Sequence, residues 1–338
     1  MAHNRFKVLL WSVATVAAAA IAFAWFAPSN DYLYVPNRAT PVGEKVTVAG
    51  KQSPGGERGG AIYYVDVSVR SATWVESLLS FVRPDGSTLV PKDEVVPPGS
   101  SFEDRRKEGL REMARSEQTA AAVALKQAGY RVTATPRGAL VDGVAPDVPA
   151  AKILRSSDVI VGVGGTKVLT PIALRAAFTD VLPGADVDLD VKRDGKVEKM
   201  TVRTVESPAE KGKAIIGIRV SQDADIKLPI KVDINLGAVG GPSAGLPFAL
   251  DVLQELGTNV DHGKRVVATG EIAIDGSVGP IGGVKQKTYG ARKAGADVFL
   301  VPAGENAVEA RRYAGNLRII PVTSFQQALS ALATETAK

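Results

Sequence analysis

Cysteine is absent from the 338 residues, and histidine occurs only twice, at His3 and His262. A cysteine nucleophile is therefore excluded, and a Ser-His-Asp triad would have to use His262, in the loop-like Asn259-Val260-Asp261-His262-Gly263-Lys264. The lack of thiols is compatible with an oxidising exterior. Excess charge of one sign is also missing, since 41 Lys and Arg stand against 36 Asp and Glu, a net +5. That balance leaves no footprint for nucleic acid, and Arg105-Arg106-Lys107 reads as the wet face of a helix. No G-x-x-x-x-G-K-[ST] phosphate loop occurs. No motif calls for a cofactor or a metal ion.

What is present is enough apolar material, 45% of residues, for two domains with real cores. Val8 to Ala27 form an uncharged run of 20 residues, which as a helix spans a hydrocarbon layer of roughly 30 Å. Arg5 and Lys7 precede it, so the positive-inside rule puts residues 1–7 in the cytoplasm and the bulk of the chain outside. A cleaved signal peptide competes with this reading, because Ala22-Phe23-Ala24 resembles an A-x-A site; run length and the flanking Trp11 and Trp25 favour a retained transmembrane anchor over residues 8–27. The expectation is a single-pass cell-membrane protein with an extracytoplasmic body.

Residues 28–129 hold Gly/Pro-rich turns, one alternating strand at Ile62 to Val69, and a long helix from Ser101 to Ala128. Ser101 and Asp104 form a capping-box-like start and Gly129 supplies the stop. Residues 130–205 read as a compact module of short strands. Residues 206–338 alternate strands (Lys213 to Val220, Ile230 to Leu236, Arg265 to Ile272, Val298 to Val301, Leu317 to Val322) with helices at Ser243 to Leu256 and Lys285 to Ala294, an α/β pattern.

Chemistry concentrates in this last part. Ser243, in Gly240-Gly241-Pro242-Ser243-Ala244-Gly245, stands at the mouth of a helix, and Lys285 follows in Pro280-Ile281-Gly282-Gly283-Val284-Lys285-Gln286-Lys287. A lysine can take a serine proton only when neutral, and at its ordinary pKa roughly 4 in 10,000 are neutral at pH 7. Burial must lower that pKa, and the nearly uncharged Pro280 to Val284 turn suits Lys285 to the task. Lys287 reads as a solvated side chain, because residues two apart do not share a helix face.

The Gly-Pro-Ser-Ala-Gly segment, Thr269-Gly270-Glu271 and Pro280 to Lys285, in this order and spacing, resemble the signature stretches of the Lon protease catalytic domain. The resemblance implies an α/β (α+β) Lon-type fold with Ser243 as nucleophile, Lys285 as general base and Thr269 supporting the lysine. An oxyanion would be held by backbone N–H groups such as those of Gly241, Ser243 or Ala244, Pro242 having none. One departure is Gly240, where most Lon proteases have aspartate. Arg137 to Val141, Asp147 to Lys152 and Ser157 to Gly165 resemble a PDZ domain of bacterial extracytoplasmic proteases, which implies capture of polypeptide substrates, including their C-termini, by strand addition. Met113 to Ala122 resembles the helix that precedes the Lon motifs, so the PDZ module would be inserted within the protease fold. Taken together these features resemble a group of bacterial membrane-anchored PDZ-containing Lon-like serine proteases working without ATP, with a hexamer expected by analogy. The alternative is a membrane-tethered PDZ adaptor whose protease domain is inactive or gated.

Overall fold

The structure, a computed structural model, describes residues 11, 12, 14, 15, 19, 22–49, 60–96, 101–208, 210–237 and 239–335. Nine of the twenty residues of the proposed anchor, Val8 to Ala27, lie outside these residues. Among the described residues no helix is long and apolar enough to cross a membrane.

The N-terminal segment supplies strands β1 (Pro28–Pro36), β2 (Thr40–Pro41), β3 (Val46–Val48), β4 (Ala61–Tyr64), β5 (Val67–Thr73) and β6 (Thr88–Pro91), then helix α1 (Phe102–Gln127). Ser101 caps α1 through its Oγ on the Asp104 N–H, and Asp104 returns the bond to the Ser101 N–H, as the capping pattern predicts. The strand expected at Ile62 to Val69 is instead two. It breaks at Val65-Asp66, so that β4 joins one sheet and β5 pairs with β1 in another. Alternation alone cannot register such a change of sheet, because a period of two reads the same in either sheet.

The module follows with β7 (Thr133–Val144), β8 (Val159–Val163), β9 (Thr166–Lys167), helix α2 (Pro171–Ala177), β10 (Asp186–Arg193), β11 (Lys196–Arg203), β12 (Val205–Glu206), β13 (Ala214–Ile215) and β14 (Ile218–Lys227). Its sheet runs β11-β10-β8-β7-β14, with its own core around Ile160, Leu189, Val191 and Leu174. The single strand expected at Lys213 to Val220 divides at Ile216-Gly217, and its second half opens the long β14, which pairs with β7 from Ile218↔Val144 to Lys227↔Thr133. The module's sheet therefore takes a strand from beyond residue 205.

The remaining chain gives β15 (Val232–Ile234), α3 (Gly245–Glu255), β16 (Arg265–Ala268), β17 (Glu271–Ile272), β18 (Val278–Gly279), α4 (Val284–Lys293), β19 (Val298–Pro302), α5 (Glu305–Tyr313), β20 (Arg318–Val322) and α6 (Phe325–Glu335). The central sheet is ordered β2-β4-β16-β19-β20, parallel from β4 to β20. Its residues alternate between two cores. Val266, Ala268, Leu300 and Val322 face α1, α3 and α6, while Val267, Phe299 and Val301 face α4 and α5. The segments before and after the module thus share one sheet and one core. Ile62 of β4, Val123 and Ala124 of α1 and Phe248 of α3 are buried together, each large apolar side chain contributing roughly 2 kcal/mol.

Candidate active site

Three neighbouring elements bring the functional side chains to the carboxyl end of β16. A short 3-10 turn, Pro242–Ala244, carries Ser243 into α3 on one face of the sheet, α4 lies on the other face, and Thr269 follows the last residue of β16. The serine turn is pinned from four directions. Its preceding Gly241 N–H donates to the Gly109 carbonyl of α1 at 2.8 Å, Ser116 Oγ donates to the Pro242 carbonyl at 3.0 Å, and the Ser243 carbonyl accepts from the Gly270 N–H at 2.8 Å and from Thr269 Oγ1 at 3.1 Å.

The lysine beside the serine is Lys287. Its Nζ donates to Ser243 Oγ at 2.6 Å and to Thr269 Oγ1 at 3.1 Å, and the residue is 4% exposed. Lys285, the residue expected there, points elsewhere, with its Nζ bonded to the Ser87 carbonyl at 2.9 Å and Thr88 Oγ1 at 3.3 Å and lying 5.7 Å above the Tyr313 ring. The reason is helix phase. With α4 starting at Val284, positions 284, 287, 288 and 291 form one stripe of Val, Lys, Thr and Ala, all buried, whereas Lys285, Tyr289 and Arg292 share the opposite face. That stripe was readable in the sequence as an i, i+3, i+4, i+7 pattern containing one lysine; giving the inward face to Lys285 placed Lys287, two residues on, outside.

Burial lowers the Lys287 pKa to about 8, against the smaller upward pull of the Asp66 and Glu271 carboxylates. Asp66, which sequence reasoning passed over, lines the same cleft and is held by Asn37 Nδ2 at 2.7 Å. The cleft, about 630 Å³, also includes Tyr34, Met113, Leu236 and Gly282-Gly283. Glu271 is itself raised to about 7, chiefly by burial and then by Asp142.

Thr269, 1% exposed, stands where the sequence suggests support for the lysine, but for Lys287. Thr269→Val removes the amine's second partner and the side-chain bond to the Ser243 carbonyl. We expect kcat/KM to fall about 10- to 100-fold, the cost of one hydrogen bond to an ionisable group. Measuring kcat/KM against pH checks the role, since loss of positioning should also move the pH midpoint. Of the three candidate backbone donors, the Gly241 N–H is engaged by Gly109, so in this conformation it is not available to a substrate; Ser243 and Ala244 remain in the turn. Gly240 departs from the aspartate pattern at a point of close approach, where a Cβ would come within 3.1 Å of the Gly109 carbonyl carbon of α1.

Residues 194–334 match the model of the Lon protease (S16) C-terminal proteolytic domain, and residues 112–204 match that of the PDZ domain. Among curated proteins, Lon protease 2 of Thermus thermophilus is 34% identical over 146 residues, 42% of this chain and 18% of that protein. Lon protease of Bacillus thuringiensis is 39% identical over 88 residues, 25% of this chain and 11% of that protein. The matched region thus spans less than a fifth of either relative's length. Among solved structures, the PDZ domain of the SdrC-like protein from Listeria monocytogenes aligns at 25% identity and a TM-score of 0.24, covering 26% of this chain and 92% of that one. The chain therefore contains a Lon-type proteolytic domain and a PDZ domain.

Proposed function

We propose that the protein is a serine endopeptidase that cleaves unfolded or flexible polypeptides with a Ser243–Lys287 dyad. The observation that carries this is the 2.6 Å bond between Ser243 Oγ and the amine of a lysine that is 4% exposed. At a pKa of about 8, roughly one amine in ten is neutral at pH 7, hundreds of times more than for an ordinary lysine. Neutral Lys287 takes the Ser243 proton as Oγ attacks the peptide carbonyl carbon. The tetrahedral oxyanion is held by the N–H groups of Ser243 and Ala244 at the helix entrance. As the C–N bond breaks, the lysine returns its proton to the leaving amine, and water, activated by the same base, releases the acyl group.

In this proposal the reaction runs without ATP, on segments that are already unfolded. The PDZ domain captures them as extended chains. The apolar run Val8 to Ala27 tethers the enzyme to the membrane with its body extracytoplasmic.

The test is cleavage of unfolded casein without ATP by the full chain and by Ser243→Ala, followed over pH 6 to 10. Because the base acts when neutral, kcat/KM should rise about tenfold per pH unit below about 8 and level off above it. Equal cleavage by Ser243→Ala would sink the dyad. No cleavage by the unaltered chain at any pH would favour the adaptor reading.

A further inference from the structure

Exposed large apolar side chains concentrate on one short stretch of the body. A short helix, Trp74–Leu78, and the 3-10 turn after it, Ser80–Val82, present Trp74, Leu78, Leu79 and Phe81, of which Leu78 is 74% and Phe81 82% exposed. From Ser71 to Val82 the one charged residue is Glu76, which is buried and ion-paired to Arg70. An uncharged face of this kind marks an interaction surface.

The backbone beneath it is closed on itself. Thr73 and Glu76 form a capping box at the helix start, and the Leu79 N–H donates to the Val75 carbonyl. The Val82 and Arg83 N–H groups donate to the Leu79 and Ser80 carbonyls, and the Arg83 guanidinium donates to the Glu76 and Ser77 carbonyls. Polar backbone that meets its partners within the segment can give up water at little cost, which contact with lipid requires and a water-facing turn does not.

The position of the face points to its occupant. The Trp74 N–H donates to the Ala27 carbonyl at 3.3 Å, Ser77 Oγ donates to Ser29 Oγ at 2.7 Å, and Thr73 pairs with Pro28. Ala27 is the last residue of the apolar run, and Trp25 and Phe26 just before it are exposed as well. A run that enters lipid therefore brings this face down to the headgroups with it, where tryptophan is favoured.

We infer that Trp74, Leu78, Leu79 and Phe81 form a second membrane contact, a face that lies in the lipid surface and seats the body on it. The choice of lipid as partner rests on the tether proposed above; it does not depend on the dyad. The seat also fixes the height of the active site. β1 starts at the face, at Pro28, and its Tyr34 lines the Ser243 cleft; those six steps of strand span at most roughly 20 Å. Unfolded segments close to the membrane would thus meet the cleft first.

Because the chain has no cysteine, single nitroxide labels can be attached through Leu78→Cys, Phe81→Cys and, as the reference, Thr258→Cys in the turn after α3, at the end of that helix away from Ser243. All three positions are exposed, so the labels leave the cores intact. Each full chain is reconstituted in vesicles of phosphatidylethanolamine and phosphatidylglycerol, and electron paramagnetic resonance compares collisions of the label with oxygen and with a water-soluble nickel chelate. The oxygen-to-nickel ratio at 78 and 81 should exceed that at 258 about tenfold, the mark of a side chain roughly 5–10 Å below the headgroups. Equal ratios at the three positions would overturn the inference. So would labels at 78 and 81 that are shielded from both reagents and broadened by one another, which would give the face to a second copy of the chain. Extraction with alkaline carbonate reads the tether separately. A chain that resists extraction but carries water-exposed labels keeps the tether and loses the seat, a chain that is extracted after showing lipid-immersed labels keeps the seat and loses the span, and a chain that never joins the vesicles loses both.

Discussion

Lys287→Ala should abolish peptide cleavage, lowering kcat/KM on unfolded casein by on the order of 10⁴-fold or more, while Lys285→Ala should leave it within about threefold. The first removes the group bonded to Ser243 Oγ; the second removes a bond to the Ser87 carbonyl and a contact with Tyr313, on the far face of α4. Lys287→Met is the companion variant, since it keeps the buried volume while deleting the amine. It should be as inactive as Lys287→Ala and fold at least as stably, because the buried ionisable group is gone. Circular dichroism together with kcat/KM for the three variants decides the matter. Inactive Lys285→Ala with active Lys287→Met would return the base to Lys285.

Gly290→Ala is expected to unsettle the helix that carries the lysine. The added Cβ would fall on the Asn37 carbonyl oxygen and 2.6 Å from Val65 Cγ2. Neither neighbour is free to yield, since Val65 is buried and Asn37 holds Asp66. Overpacking of this kind costs about 3 kcal/mol, and for a chain of this size the Tm should fall by roughly 4 °C. Gly290 is one turn beyond Lys287, so α4 can relieve the clash only by moving outward, which lengthens the 2.6 Å bond to Ser243. Activity should therefore fall more than stability alone would dictate, by about 10- to 100-fold at a temperature where the variant remains folded. Thermal melts and kcat/KM measured below the melting range check both parts. An unchanged Tm would show that α4 is not seated as tightly on the β1 to β4 wall as its geometry indicates.

The serine turn was legible because a local pattern specifies it: a glycine-rich entry, a serine and an apolar helix behind it. Which lysine lies beside that serine was not read correctly, although its signal is local too. Two lysines lie two residues apart, and which one turns inward depends on where α4 begins, a boundary set by the Gly283 turn and not by composition. The long helix α1 was legible from its capping box and Gly129. Its role behind the active site, where Gly109 and Ser116 hold the serine turn, appears only once residues more than a hundred positions apart are in contact.

By itself the sequence determined the menu: no thiol, hardly any histidine, a serine at a helix mouth, two candidate lysines, a strand-rich module and a strand-helix alternation after it. These follow from residue chemistry and from periods of two and 3.6, which act over a few neighbours. Tertiary structure decided what lies inside. It split Ile62 to Val69 between two sheets, gave β14 to the module, turned Lys287 rather than Lys285 toward Ser243 and engaged the Gly241 N–H with Gly109. Each of these depends on pairing between distant segments and on burial, which shifts a lysine to a pKa of about 8 only when packing from several elements excludes water together.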